Sequence, residues 1–154
     1  MPFKTYKLIP FTLLLLTACT LNGEQEKKLN ESLSAYVFAR NECQVISYVA
    51  FTYPDLVAQY KSQGDSLFKE QFNCNKDSIY LEDPTIRQTE KKGADIHVLY
   101  DLTAYNENTG DVEKVKHQVV AISHDDGNSW FFLDRAVYVD KSLLPKLERL
   151  LKVD

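Results

Sequence analysis

The chain has 154 residues, 44% of them hydrophobic, with 18 basic against 22 acidic side chains and a formal charge of -4. That length is one domain's worth and enough to bury a core, and the acidic balance excludes nucleic acid as a partner and binding to anionic lipid by charge alone. Three histidines and three cysteines follow no metal-ligand spacing, so neither a metal nor another cofactor is expected, and no phosphate-binding glycine loop or hydrolase elbow is present.

In chain order, Lys4 and Lys7 precede an apolar run from Leu8 to Ala18 that is broken only by Pro10, Thr12 and Thr17, after which come Asn22, Gly23, Glu24 and Gln25. A membrane span needs about 20 mostly apolar residues. This run is roughly half that and has the charged-then-apolar layout of an export signal. Leu16-Thr17-Ala18-Cys19 resembles the lipobox of bacterial lipoproteins: a branched aliphatic residue, two small residues, then cysteine. The resemblance implies a diacylglyceryl group on the Cys19 sulfur, cleavage before Cys19, and membrane attachment through acyl chains, palmitate among them, each buried methylene contributing about 0.8 kcal/mol. Thr20 stands where an aspartate would resemble an inner-membrane retention signal, which implies the outer membrane, facing the periplasm.

Residues 1–18 are therefore read as a signal peptide, 19–27 as a polar tether and 28–154 as a single α+β domain. A helix takes over from the tether at about Glu24 or Gln25 and ends near Arg40-Asn41. Leu29, Leu33, Tyr36 and Val37 form its apolar stripe. A second helix, more buried than the first, is expected over Glu42 to Phe51 from the spacing of Val45, Ile46, Val49 and Ala50. Pro54 opens a third that stops at Gly64, and Asp65 or Ser66 caps a short fourth carrying Leu67, Phe68 and Phe72. With Cys19 taken by lipid, Cys43 and Cys74 remain in an oxidising compartment, where they either bridge or stay as two buried thiols. A bridge would close a loop of about thirty residues, worth roughly 3 to 4 kcal/mol.

Beyond Cys74 the period changes from helical to alternating. Ile79 to Glu90 reads as a strand broken at Asp83-Pro84, an edge or bulge signature. Asp95 to Asn106 is the clearest strand, with Ile96, Val98, Tyr100, Leu102 and Ala104 on one face and His97, Leu99, Asp101, Thr103 and Tyr105 on the other. Glu113 to His124 and Ser129 to Tyr138 are the third and fourth strands around a turn at Asp125-Asp126-Gly127-Asn128. Leu143, Leu144, Leu147, Leu150 and Leu151 predict a closing helix with Pro145 in its first turn.

Helices followed by an antiparallel meander with two apolar faces describe an α+β fold whose helices pack on a four-stranded sheet. The helical hairpin leading to Phe51-Thr52-Tyr53-Pro54-Asp55-Leu56-Val57, and the strand at Trp130-Phe131-Phe132, resemble the nuclear transport factor two-like superfamily over about Glu24 to Asp134. That resemblance implies a curved, cone-shaped sheet. It also admits an enzyme of the SnoaL or ketosteroid isomerase type acting by proton transfer, for which His97, Asp101 and Tyr105 are the candidate groups. His97 and Asp101 are four residues apart on one strand face, roughly 13 Å, so at most they line one cavity. His117 is a conceivable cross-strand neighbour of His97. Tyr53, Tyr100, Tyr105 and Trp130 would line a pocket for a small apolar ligand. The reading favoured by the residues is a membrane-anchored protein with a non-catalytic domain that binds a small ligand or an envelope protein, or that dimerises through a sheet face.

Overall fold

The computed structural model describes residues 21–73, 78–106, 108–112 and 116–153. The lipobox, Cys19, Cys74, and residues 113–115 of the expected third strand lie outside them. The described residues form α1 (Gly23–Asn41), α2 (Val45–Phe51), α3 (Pro54–Ser62), α4 (Asp65–Gln71), β1 (Ile79–Lys92), β2 (Asp95–Asn106), β3 (His117–Ser123), β4 (Phe131–Asp134) and α5 (Arg135–Val139). The fold is α+β, with a four-stranded antiparallel sheet ordered β1-β2-β3-β4. Its two edge strands do not pair, so the sheet is open.

Helix α1 begins where its cap dictates. The Asn22 side chain accepts the Gln25 backbone N–H at 2.9 Å, and the Gln25 side-chain oxygen accepts the Asn22 N–H at 3.0 Å, a reciprocal capping box. Glu24 and Glu26 sit in the first turn and Arg40 in the last, matching the helix dipole. Gln25, Leu29, Leu33, Tyr36 and Ala39 are buried along one stripe. Helix α1 therefore starts at Gly23, within two residues of the start expected at Glu24 or Gln25. Leu21 ahead of the cap packs on the first core, and residues 23–27 of the segment read as a tether are helical. Their charged side chains point to solvent while Gln25 faces inward.

That inward glutamine docks the helix on the loop between β3 and β4. Gln25 Nε2 donates to both the backbone oxygen and Oδ1 of Asp126 at 2.9 Å. The loop is held from within: Asp125 accepts from the Ser123 and Ser129 hydroxyls and the Ser129 N–H, Ser123 Oγ accepts the Gly127 N–H, and Trp130 Nε1 donates to the Gly127 carbonyl at 3.0 Å. Asp126 and Gly127 both take positive φ, 57° and 83°.

The core lies on both faces of the sheet. On the first, Ile96, Val98, Tyr100, Leu102 and Ala104 of β2 pack with Leu29, Leu33 and Tyr36 of α1 and with Val119, Ala121, Trp130 and Phe132. On the second, Leu99, Val120, Ile122 and Leu133 pack with Tyr53, Leu56, Tyr138, Leu144, Leu147 and Leu151. The edges are managed differently. Strand β4 is bridged in parallel by Thr52, and the Tyr53 N–H donates to the Phe132 carbonyl at 3.0 Å. On β1 the Asn41 amide mimics a strand, donating to the Leu81 carbonyl at 2.8 Å and accepting the Leu81 N–H at 3.0 Å, while Arg40 donates to the Ile79 carbonyl. The register shifts between Glu82 and Thr85, where Asp83 takes a φ of 52° next to Pro84, the irregularity expected of an edge strand.

Three expectations are corrected. Helix α2 is shorter than expected and has no fully buried residue. Its inward stripe is Tyr48 and Phe51, both packed on the first core, while Ile46 is 88% exposed, because seven residues present only one narrow stripe to α1. The fourth strand ends at Asp134, and the chain turns into α5 instead of continuing to Tyr138. The closing helix from Lys141 does not form: residues 140–153 are turns and irregular chain. Leu144, Leu147 and Leu151 are buried, so the apolar spacing reports burial and not helicity. The carbonyls that a helix would have satisfied internally are taken up by one side chain. Arg149 donates to the backbone oxygens of Tyr138, Asp140, Leu144 and Leu147.

A methyl group at Gly127 would lie 2.7 Å from Gln25 Cγ, whereas one at Gly110, also at positive φ (72°), would meet nothing within 4 Å. Both substitutions to alanine carry the left-handed backbone penalty of about 1–2 kcal/mol. Gly127→Ala is expected to cost a further ~1–3 kcal/mol for the displaced helix. Urea unfolding of the two variants side by side measures the difference, and equal losses would show that the α1 contact contributes nothing.

Candidate functional site

Alternation along β2 decides where the sequence-derived candidates go. Tyr100 and Tyr105 are an odd number of residues apart and so face opposite sides of the sheet. Tyr100 and Trp130 belong to the first core and Tyr53 to the second. Tyr105 is at the far end of the strand, its ring 5.6 Å from that of its cross-strand partner Tyr80. The four aromatic residues expected to line one pocket are thus divided between two faces and a strand end. The Tyr100 hydroxyl is, among the described residues, the buried side-chain polar atom left without a partner, and burial pushes its pKa well up.

His97, Asp101 and Tyr105 share a face but not a site. His97 is 1% exposed in the second core. Its Nδ1 is 2.8 Å from the Tyr138 hydroxyl, which also accepts the Leu151 N–H at 3.1 Å. The cross-strand partner of His97 is Ile122, not His117, and the nearest imidazole is that of His124, with ring centroids 6.4 Å apart in a T-shaped arrangement. His124 in turn joins two elements: Nδ1 is 2.7 Å from Asp95 Oδ1 and Nε2 is 3.0 Å from the Tyr53 hydroxyl. His117 is on the first face, 2.9 Å from Asp134 Oδ1. Each imidazole therefore ties neighbouring elements together. Among the described residues no group of three or more His, Cys, Asp or Glu side chains gathers as a metal site.

Asp101 has a different setting. Directly across from it, Gln118 Nε2 donates to Oδ1 at 2.7 Å, and Arg87 Nη1 of β1 lies 3.4 Å from Oδ2. These groups stand on the second face beside Lys152 and Val153 of the tail. The result is a cleft of about 470 Å³ lined by Arg87, Gln88, Leu99, Gln118, Arg135, Lys152 and Val153. Of these residues, none was singled out from the sequence. They come from β1, β2, β3, α5 and the tail, and only strand register and the path of residues 140–153 bring them together.

A second, smaller groove of about 230 Å³ runs between α3 and the tail, lined by Asp55, Ala58, Gln59 and Leu143 to Leu147. Cys43, at the α1–α2 corner with a φ of 54°, is disulfide-bonded. No known protein family, no curated protein and no solved structure matches the chain.

The buried histidine makes stability depend on pH. Burial first, and the His124 ring second, push the His97 imidazole from 6.5 down to about 4, against the opposing pull of Asp95 and Glu148. The unfolded chain thus takes up this proton at higher pH than the folded one. Stability is full above about pH 6.5 and is lost as pH falls toward 4, by up to ~3 kcal/mol at 1.36 kcal/mol per pH unit. His97→Gln, which keeps an amide for Tyr138 and does not titrate in this range, is expected to flatten that slope in denaturant titrations at successive pH values. An unchanged slope would assign the acid sensitivity to other groups.

Proposed function

We propose that the chain is a lipid-anchored protein of the cell envelope, attached through Cys19 to the outer membrane and facing the periplasm, whose folded part works by binding. The feature that supports the envelope reading is the disulfide at Cys43, since disulfides persist in exported proteins and are rare in the cytosol. Cys74 is the partner we assign to it. Among the described residues no helix is long and apolar enough to cross a membrane, and the apolar run before Cys19, which lies outside them, is too short for a span.

Binding is favoured over proton-transfer catalysis because the groups proposed for chemistry are committed to holding the fold together. His97 is buried against Tyr138, Asp101 orients Gln118 and Arg87, and Tyr105 packs at a tilt against Tyr80 at the strand end. A nuclear transport factor two-like relationship draws support from the order of elements, helices first and a meander after. A central ligand chamber draws none, since helices cover one sheet face and the tail covers the other. The same cover disfavours dimerisation through a sheet face and directs attention to the cleft beside the tail.

Two measurements test this reading. Protein made in a bacterial host is expected in the membrane fraction, without Met1 and with the mass gain of acylation, while Cys19→Ser loses the lipid mass. A chain recovered from the cytosol with Met1 in place would overturn the assignment. Reduction of the disulfide is expected to lower stability by roughly 3 to 4 kcal/mol for a loop of about thirty residues, read as a shift in the urea midpoint. Peptide mapping should place Cys43 with Cys74, and any other pairing refutes the assigned bridge.

A further inference from the structure

We propose that residues 140–153 act as an acid-opened latch, which leaves the second sheet face as one unit when His97 takes up a proton, while the sheet and α1 stay folded. The segment is bonded largely to itself and to the end of α5. Arg149 donates to the backbone oxygens of Tyr138, Asp140, Leu144 and Leu147, and Ser142 donates to Asp140 through both its N–H and its hydroxyl. Two polar ties among the described residues carry it onward to the sheet. Lys92 of β1 pairs with Glu148 at the surface, and the Leu151 N–H donates to the Tyr138 hydroxyl, which in turn meets His97 Nδ1. Exposed ion pairs contribute little, so the second tie is the one that locks. Leu144, Leu147 and Leu151 add burial on the second core, but both margins of the segment are open. A groove of about 230 Å³ lies between it and α3, and the cleft of about 470 Å³ runs along Lys152 and Val153.

The lock works in one protonation state. The Tyr138 oxygen accepts from Leu151, and the hydroxyl's own proton goes to the lone pair on His97 Nδ1. A proton at Nδ1 removes that lone pair, sets N–H against O–H, and places a charge in the second core, with the Arg149 guanidinium already 6.0 Å from the Tyr138 ring centroid on the tail side. The acids that face the imidazole are engaged elsewhere. Glu90, directly across on β1, accepts from Gln88; Asp95 on β2 lies against His124; Glu148 of the tail faces Lys92. On β3 the opposite residue is apolar Ile122, and His124 is a base of the same kind. Burial first and His124 second therefore hold His97 neutral down to about 4, against Asp95 and Glu148. With the latch open the imidazole meets water and returns to 6.5, so acid favours the open form about tenfold per pH unit between those values, toward a limit of about 300-fold. The cover of the first face has no such lock. Helix α1 is docked by the amides of Gln25 and Asn41, which do not titrate.

Hydrogen exchange of the full-length protein in neutral detergent, labelled from about pH 7 to about pH 4 and corrected for the intrinsic exchange rate, tests the latch. Peptides covering residues 141–153 are compared with peptides covering β2. The tail is expected to lose protection by about tenfold per pH unit below about pH 6.5, with β2 staying about tenfold or more better protected throughout. Tail and β2 losing protection together, or a tail indifferent to pH, would overturn the proposal, and this comparison needs no variant. His97→Gln should flatten the tail's response. Glu148→Gln, which removes the surface tie and leaves His97 in place, should lower protection of the tail at neutral pH and keep the slope. A slope that survives His97→Gln, or that Glu148→Gln abolishes, would place the switch elsewhere and refute the role given to His97. The latch does not depend on lipid at Cys19, so its failure and that of the envelope assignment are read separately.

Discussion

Strand β2 must be buried on both sides, and the rest of the chain is arranged to do it. Ile96, Val98 and Leu102 are 0% exposed on one face, and His97 and Leu99 are 1% and 4% exposed on the other. Burying an aliphatic side chain of this size contributes about 1.5–3 kcal/mol, so a bare face would forfeit more stability than a small domain has to spare. The segments that precede the sheet cover the first face through α1 and the inward side of α2. The segments that follow it cover the second through α5 and the tail, with Tyr53 and Leu56 of the α3 region closing the near side. Both halves of the core thus depend on chain distant in sequence from the strand they protect.

The tail part of the second cover is held by polar groups because residues 140–153 form no helix. An irregular segment leaves backbone carbonyls to be satisfied one at a time, and Arg149 meets four of them while its guanidinium lies 6.0 Å from the Tyr138 ring centroid. Tyr138 then connects tail to sheet, its hydroxyl shared between His97 and the Leu151 N–H. A neutral imidazole suits this position, since it can accept or donate at Nδ1 with no charge left in the core. The loss of stability expected at acid pH follows from using a titratable residue for a structural bond.

These facts separate what was legible in the residues from what was not. The β2 boundaries and the division of its faces are carried by strict alternation over Asp95 to Asn106, a local signal that tertiary context reinforces. Helix α1 was equally readable, because the Leu29, Leu33 and Tyr36 stripe and its polar flank agree. The closing segment misleads because leucines at helical spacing are also what a tail needs to plug a sheet face at intervals. The role of Arg149 lies in bonds to carbonyls up to eleven residues away, and pattern does not reveal it. The cleft was invisible for a related reason. In the sequence Asp101 reads as a candidate proton-transfer group beside His97 and Tyr105, but its setting comes from Gln118 directly across the ladder and from Arg87 near a bulge that resets the register. Nothing in either residue's own neighbourhood specifies that pairing.

The docking of α1 also bears on how an anchored domain would be oriented. Only Thr20 and Leu21 separate Cys19 from the cap at Asn22, three steps or a reach of roughly 10 Å at about 3.5 Å per residue, so the proposed acyl attachment would hold the domain near the headgroups. Gln25 fixes the helix start to the β3–β4 loop, and Lys91 ties the β1–β2 turn to that loop through Asp126. That end of the sheet would therefore be the membrane-proximal one. Leu99, the floor of the cleft, is four residues up β2 from Asp95 at that end, roughly 13 Å at the rise of a strand. A cleft at that height, on the face opposite α1, would stand just above the headgroup layer, open to solutes and within reach of the membrane surface.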